Sequence, residues 1–201
     1  IKTGFEPSQI KTAIAAVAVY VPEGNPLRSI SFLELDGMFC GECKRSGKRL
    51  KTWGELGAAG PLANTEILPI GRVKSSYPHS YFRQQVMLLG SFSESVVPVA
   101  DFRSMVETLA ANPGGVAFGE VLVDGIDAVP EGVRLLPVSR RNGGKARLPT
   151  AENLSADRYP LGRFLSIYVV REPGQPLEEP LADFLRFVLS RQGQEMVKNH
   201  G

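Results

Sequence analysis

No stretch of this sequence comes near the ~20 consecutive apolar residues that a helix needs to cross a bilayer. The longest apolar run, "AIAAVAVYV" at 13–21, is stopped by Pro22. Cysteine is scarce: the 201 residues hold two, in Cys40-Gly41-Glu42-Cys43. That excludes a disulfide framework, and without a second cysteine pair it falls short of the four ligands of a structural zinc site. The pair itself fits a local Cys40–Cys43 disulfide, two inert thiols, weak metal binding or redox chemistry. Excess charge is also missing, since 23 Lys and Arg stand against 21 Asp and Glu for a net +2. No nucleic-acid footprint follows from such a balance. The chain has no GxxxxGK[ST], no HExxH, no GxSxG and only two histidines, so nothing argues for an enzyme. No metal and no cofactor is expected.

What is present is an ordinary globular composition, 43% hydrophobic, long enough to bury a core in one large domain or two small lobes. The first residue is Ile1, with no basic or apolar leader before the fold, which reads as a processed product or a fragment. Residues 14–21 predict a buried strand. Ser31 and Glu34 form a capping-box pair that opens a helix to about Phe39. "KTWGELG" predicts a short helix with Trp53 as a packing anchor. "EILPIGR" predicts a strand. "SYFRQQVMLLG" predicts a helix with Phe82, Val86 and Leu89 on one face and Gly90 as its stop. Asp101 caps a helix to about Asn112, and "GVAFGEVLV", "VRLLPV" and "RFLSIYVV" predict strands. Thr150 caps a single turn to Leu154. Leu181, Phe184, Leu185, Val188 and Leu189 recur as the core face of a helix. A short helix near 191–198 closes the chain. The alternation of strands and helices predicts an α/β architecture.

The chemistry concentrates in "ILPIGRVKSSYPHSYF". A strand ends in Gly71-Arg72, and a helix begins a few residues on. A helix start presents unpaired N–H groups and partial positive charge, which suits an anion. Arg72 adds a planar fork of donors, Lys74 a second cation, Ser75 and Ser76 two hydroxyls, and Gly71 a close backbone approach. The simpler reading is a serine cap on a helix and an arginine paired with a surface carboxylate. A hydrolase would need a base near Ser76, and His79 is the only nearby candidate.

Several segments carry a resemblance. "AVAVYVPEGNPL", "SFLELDGMF", "KTWGELG", "ILPIGR", "ANPGGVAFG", "LPTAENLSADRYPLGRFLSIYV" and "PLADFLRFVLSRQGQEMV" resemble, in this order, the periplasmic phosphate-binding proteins of ABC transporters. The resemblance implies a periplasmic-binding-protein-like, two-lobed α/β fold with a hinged cleft for inorganic phosphate or a similar oxyanion. It implies a central lobe at 22–149, with 1–21 and 150–201 forming part of the other. It further implies an ABC permease as partner, a periplasmic or secreted location, and binding without catalysis. The family grips its anion with an arginine and a Ser-Gly-Thr at a helix start, in a stretch like "GR..SGTY". Arg72 and Ser76 match, whereas Tyr77 and Pro78 stand in place of the glycine and threonine. Pro78 deletes a backbone donor, and Tyr77 is bulky where close approach is wanted. The ligand set implied is Arg72, Ser76, Ser75, Lys74 and Tyr77. Family members also begin with a long front segment that this chain lacks, so one lobe is expected to be incomplete. A missing N-terminal segment on another polypeptide, or pairing with a partner or in a homodimer, would complete it; the third alternative is a rebuilt lobe. The alternative function is a phosphate-binding-like domain that has lost its ligand and serves as an interaction or sensory module.

Overall fold

The computed structural model describes residues 7–121, 129–170 and 174–200. Strand β1 (Ser8–Pro22) starts earlier than its apolar run: residues 8–15 are exposed or half-buried, whereas Ala16 to Pro22 are buried throughout. Next come β2 (Ile30–Ser31), α1 (Phe32–Phe39), β3 (Leu68–Arg72), α2 (Tyr77–Gln85), β4 (Val97–Val99), α3 (Phe102–Ala110) and β5 (Gly115–Glu120). The remainder is β6 (Val133–Leu135), β7 (Val138–Ser139), α4 (Ala151–Ser155), β8 (Gly162–Val169), α5 (Glu179–Leu189) and α6 (Arg191–His200). Single 3-10 turns occupy Trp53–Leu56 and Gly60–Asn64. The expected strand at 115–123 ends at Glu120, and its Leu122 and Val123 lie outside the described residues.

The main sheet runs β4-β3-β5-β1-β6, with β8 also pairing with β1. β3 lies parallel to β4 (Ile70 opposite Val97) and to β5 (Ile70 opposite Ala117). β1 is antiparallel to β5 and β6, with Tyr20 opposite Ala117 and Leu135. A separate parallel pair joins β2 to β7.

Two compact units make up the chain. One spans Ala16–Gly162; the other joins the stretch up to Ala15 to the stretch from Arg163 onward. The expected lobe boundaries at 21/22 and 149/150 therefore fall inside the larger unit.

In the larger unit the sheet is covered on both faces, as a continuous apolar run requires. Successive β1 residues alternate between two clusters: Val17, Val19 and Val21 pack with Phe39, Trp53, Phe82 and Phe118, whereas Ala18 and Tyr20 pack with Ile70, Met105 and Leu109. Phe82 and Phe118 stack with centroids 4.1 Å apart, and Phe39 meets both edge-on. Gly71 belongs to this packing. A Cβ there would lie 2.9 Å from the Phe118 ring and 3.1 Å from Val96, so the missing side chain makes room for Phe118 rather than for a ligand.

Ser31 caps α1 as its sequence predicts: its Oγ accepts from Glu34 N, and its own N–H donates to the Glu34 carboxylate at 2.7 Å. α2 is shorter than its apolar pattern predicts. It ends at Gln85, after which Leu88 (φ 49°) and Leu89 (φ 61°) are left-handed and exposed. Arginines hold this turn: Arg83 donates to the carbonyls of Leu89 and Gly90, and Arg45 to those of Gln85 and Val86. Gly90 is required there because a Cβ would sit 2.6 Å from Cys40 Sγ.

In the smaller unit, Gln9 Nε2 donates to Ser166 Oγ and Thr12 Oγ1 to Leu165 O, tying β1 to β8. Gln194 of α6 donates to the Thr12 carbonyl at 2.8 Å. α5 buries Ala182 and Leu185 rather than the whole predicted face. Phe184 (52% exposed), Phe187 and Leu189 stay open, as do Tyr168 and Val170.

Candidate functional site

Parallel strands β3, β4 and β5 end together, and α2 and α3 begin from the loops that follow β3 and β4. In open α/β sheets the crevice outside the strands' carboxyl ends is the usual place for a ligand. Arg72 is the last residue of β3 and Glu120 the last of β5. Their side chains form an ion pair, Nε to Oε2 at 3.2 Å, with the Arg72 side chain only 10% exposed. The two atoms are close but not aligned for a hydrogen bond, and Arg72 Nη1 is buried with no acceptor among the described residues. The guanidinium thus has a carboxylate near its Nε and a dry, unused donor at Nη1.

Two further groups frame the pair. Tyr20 donates its hydroxyl hydrogen to the Glu120 carbonyl at 2.7 Å. Burial and then the Glu120 charge push the Tyr20 phenol far above its ordinary range, so it stays a donor. Asp101 caps α3, accepting from Ser104 N at 2.7 Å. That hydrogen bond, helped by the charges of Arg72 and Arg103, holds its carboxyl below the usual range.

Ser76 caps α2. Its Oγ accepts from His79 N and its carbonyl from Ser80 N, while its own N–H donates to the Val73 carbonyl. Pro78 is buried in the first turn with no N–H to offer. Two of the amides a helix start would direct at an anion are therefore occupied, and a third does not exist. Tyr77 stacks its ring on Tyr81, centroids 5.5 Å apart, beside the apolar core. Lys74 and Ser75 lie exposed in the turn between β3 and α2. Of the five expected ligand residues, Arg72 and Ser76 hold built positions at the strand and helix ends. Lys74 and Ser75 make no hydrogen bond or ion pair among the described residues.

Glu120 and Tyr20 had no individual signal in the sequence. Glu120 follows an apolar strand, and only the parallel pairing of β3 with β5 brings it to Arg72. Asp101 was legible as a cap but not as a neighbour of Arg72.

His79, the one candidate base, packs its ring on Phe92 at 4.3 Å. Burial, then the charges of Arg83 and Lys74, lower its pKa from the ordinary 6.5. A depressed folded pKa means that the unfolded chain binds the proton more readily. This contribution to stability is present above pH 6.5 and is lost as pH falls through the lower folded value. Acidification from pH 7 toward 5 should lower the thermal midpoint, and His79→Gln should flatten that part of the curve. An unchanged slope in the variant would assign the effect to other groups.

Cys40 and Cys43 stand as free, buried thiols in this structure. Cys40 Sγ faces Glu42 Oε2 at 3.5 Å, and Cys43 Sγ faces the Cys40 carbonyl at 3.4 Å. Burial raises the Cys40 pKa, which suits a packed thiol better than a nucleophile. Among the described residues, no group of three or more His, Cys, Asp or Glu is placed to hold a metal ion. No helix among them is long and apolar enough to cross a membrane.

Residues 2–192 match the family described as PBP superfamily domain. The phosphate-binding protein PstS of Pseudomonas aeruginosa is 29% identical over 205 residues, which cover 100% of this chain and 61% of that protein. The chain thus spans about three fifths of the length of that relative. Protein SphX of Synechococcus elongatus is 23% identical, covering 96% of the chain and 55% of its own length. Two crystal structures match the fold at 18% identity. PstS from Borrelia burgdorferi gives a TM-score of 0.76, with 97% of this chain and 71% of that one covered. An ABC-type phosphate transport receptor from Vibrio cholerae gives 0.73, with 100% and 75% covered.

Proposed function

The chain belongs to the PBP superfamily, and from that premise we propose that it binds phosphate, or an oxyanion of the same shape, as the receptor component of an ABC-type transport system. The observation that carries the reading is the Arg72 guanidinium, nearly buried at the parallel strand ends with Nη1 unsatisfied. An unmade hydrogen bond at a buried charged donor is costly, and an oxyanion on that side of the fork would remove the cost. Glu120 stays beside Nε, so the ligand adds to the ion pair rather than replacing it. The Ser76 hydroxyl, which accepts from His79, has no acceptor of its own among the described residues and completes the grip at the start of α2. Lys74 and Ser75 supply outer contacts, and Tyr77 walls the site. The names of the relatives support phosphate as ligand and an ABC-type transport system as setting; an ABC permease as partner, a periplasmic or secreted location and binding without turnover belong to the same proposal.

A second reading has its own support. Pro78 and the occupied first-turn amides weaken the anion grip, and the open apolar face of α5 (Phe184, Phe187, Leu189) suits a protein contact. A second copy of the chain, or polypeptide equivalent to the part of the relatives that it does not span, would cover that face. The domain would then serve interaction or sensing rather than capture.

Titration calorimetry with inorganic phosphate separates the two. The transport reading expects a saturable isotherm of one anion per chain. A flat trace at millimolar phosphate, with sedimentation giving a mass above that of one chain, would establish the second reading instead.

A further inference from the structure

The loop from β7 to α4 does not belong to the Arg72 site. Val138 and Arg147 exchange both backbone hydrogen bonds at 2.9 Å. Within the loop, Ser139 Oγ and Gly144 N both donate to the Arg141 carbonyl, and Gly143 turns the chain at φ 68°. The loop backbone is therefore pinned, which sets where its charged side chains emerge. Arg140, Arg141 and Lys145 line a groove of about 250 Å³ together with Gly144, Arg158 and Pro160.

That lining is one-sided in charge: four cations, no carboxylate. Arg158 has a partner in Glu152, Nη1 to Oε1 at 3.1 Å. Arg140, Arg141 and Lys145 have no carboxylate partner among the described residues. The Arg140 guanidinium lies over the Phe32 ring, 5.8 Å from its centroid, a contact that leaves its N–H donors unused. The chain as a whole carries only +2, so four cations around one groove are a strong local departure. Like charges held this close repel, and a multivalent anion relieves the repulsion while using donors that now face water.

We propose that this groove is a second anion site, specific for a condensed phosphate, a linear chain of two or more linked phosphoryl groups. Arg140, Arg141 and Lys145, with Arg158 shared with Glu152, bring more positive charge to the groove than one tetrahedral anion neutralises, whereas a linear chain carries charge along the groove. A bilayer surface fits less well, because the concave lining includes no exposed large apolar side chain to insert. A nucleic-acid strand fits less well because the groove lining has no aromatic platform for bases.

The test is calorimetry of the whole chain with sodium tripolyphosphate and with orthophosphate, at low and raised salt. Tripolyphosphate is expected to bind about tenfold or more tighter than orthophosphate at this groove, and to weaken as salt rises. The double variant Arg141→Gln, Lys145→Gln changes two exposed side chains, and circular dichroism checks its fold. It should lose about tenfold or more of the tripolyphosphate affinity, whereas Arg72→Ala should keep it. In Arg72→Ala, where only the groove remains, tripolyphosphate binding that is lost, or is no tighter than that of orthophosphate, would overturn the assignment, as would tripolyphosphate affinity unchanged in the double variant. So would binding to phosphatidylglycerol vesicles that the double variant loses while tripolyphosphate gives no heat. Failure of orthophosphate to bind at Arg72 leaves this proposal untouched, since it rests on other residues.

Discussion

Replacing Trp53 with alanine is expected to destabilise the larger unit by about 3–5 kcal/mol, the range for emptying a buried aromatic site. Trp53 is fully buried and sits in the larger of the two core clusters. Its indole N–H donates to the Gly114 carbonyl at 3.0 Å, and its backbone N–H to the Thr65 carbonyl. The surrounding chain cannot close the gap easily. A Cβ at Gly114 would collide with the Glu66 carbonyl, and one at Gly54 would lie 2.7 Å from the Ala63 carbonyl, so these loops already touch backbone to backbone. The cavity should therefore persist instead of collapsing, which places the cost toward the upper end. Trp53→Phe keeps most of the volume and loses only the indole bond to the Gly114 carbonyl, which still accepts from Leu68 N, so it should cost about 0.5–1.5 kcal/mol. Urea unfolding followed by circular dichroism is the suitable measurement, because Trp53 is the only tryptophan and its removal abolishes indole fluorescence. The midpoint should fall with an unchanged slope. A midpoint that stays put in Trp53→Ala would mean that the site relaxes freely.

Local chemistry was legible in the sequence, and long-range register was not. The Ser31–Glu34 capping box and the Thr150 and Asp101 caps each depend on groups three residues apart, and each stands where its sequence predicts. The buried half of β1 was legible because a strand covered on both faces must be apolar throughout. The end of α2 was not, because Leu88 and Leu89 continue an apolar pattern that side chains of Arg45 and Arg83 interrupt. α5 shows the complementary limit. Its apolar period predicts a buried face, but periodicity does not say whether the covering surface is present, and Phe184 and Leu189 are exposed. At the site, Arg72 and Ser76 could be found because an arginine at a strand end and a serine at a helix start each have a local signature. The Glu120 carboxylate could not, since it reaches Arg72 only through the pairing of Ile70 with Ala117.

Arg72→Ala should abolish measurable phosphate heat, a loss of about a hundredfold or more in affinity. A guanidinium donates two or more charge-assisted hydrogen bonds to an oxyanion, each worth about 1.5–3 kcal/mol, and one such bond alone accounts for roughly tenfold to a hundredfold. Electrostatics adds to this. Without Arg72 the neighbouring Glu120 and Asp101 carboxylates face the incoming anion uncompensated, so the variant repels what the parent attracts. Stability should change less, because the Glu120 side chain is 35% exposed and can turn to water when its partner is removed. Circular dichroism of the variant should accordingly match the parent. Arg72→Lys keeps the charge but loses the planar fork, and should bind weakly rather than not at all. Glu120→Gln acts in the opposite direction: it removes a negative charge beside the bound anion and should tighten phosphate binding. Together the three variants separate charge from geometry, because a site that needed only positive charge would treat lysine as arginine. Unchanged phosphate affinity in a folded Arg72→Ala protein would place the anion elsewhere and reduce the Arg72–Glu120 pair to a structural contact between β3 and β5.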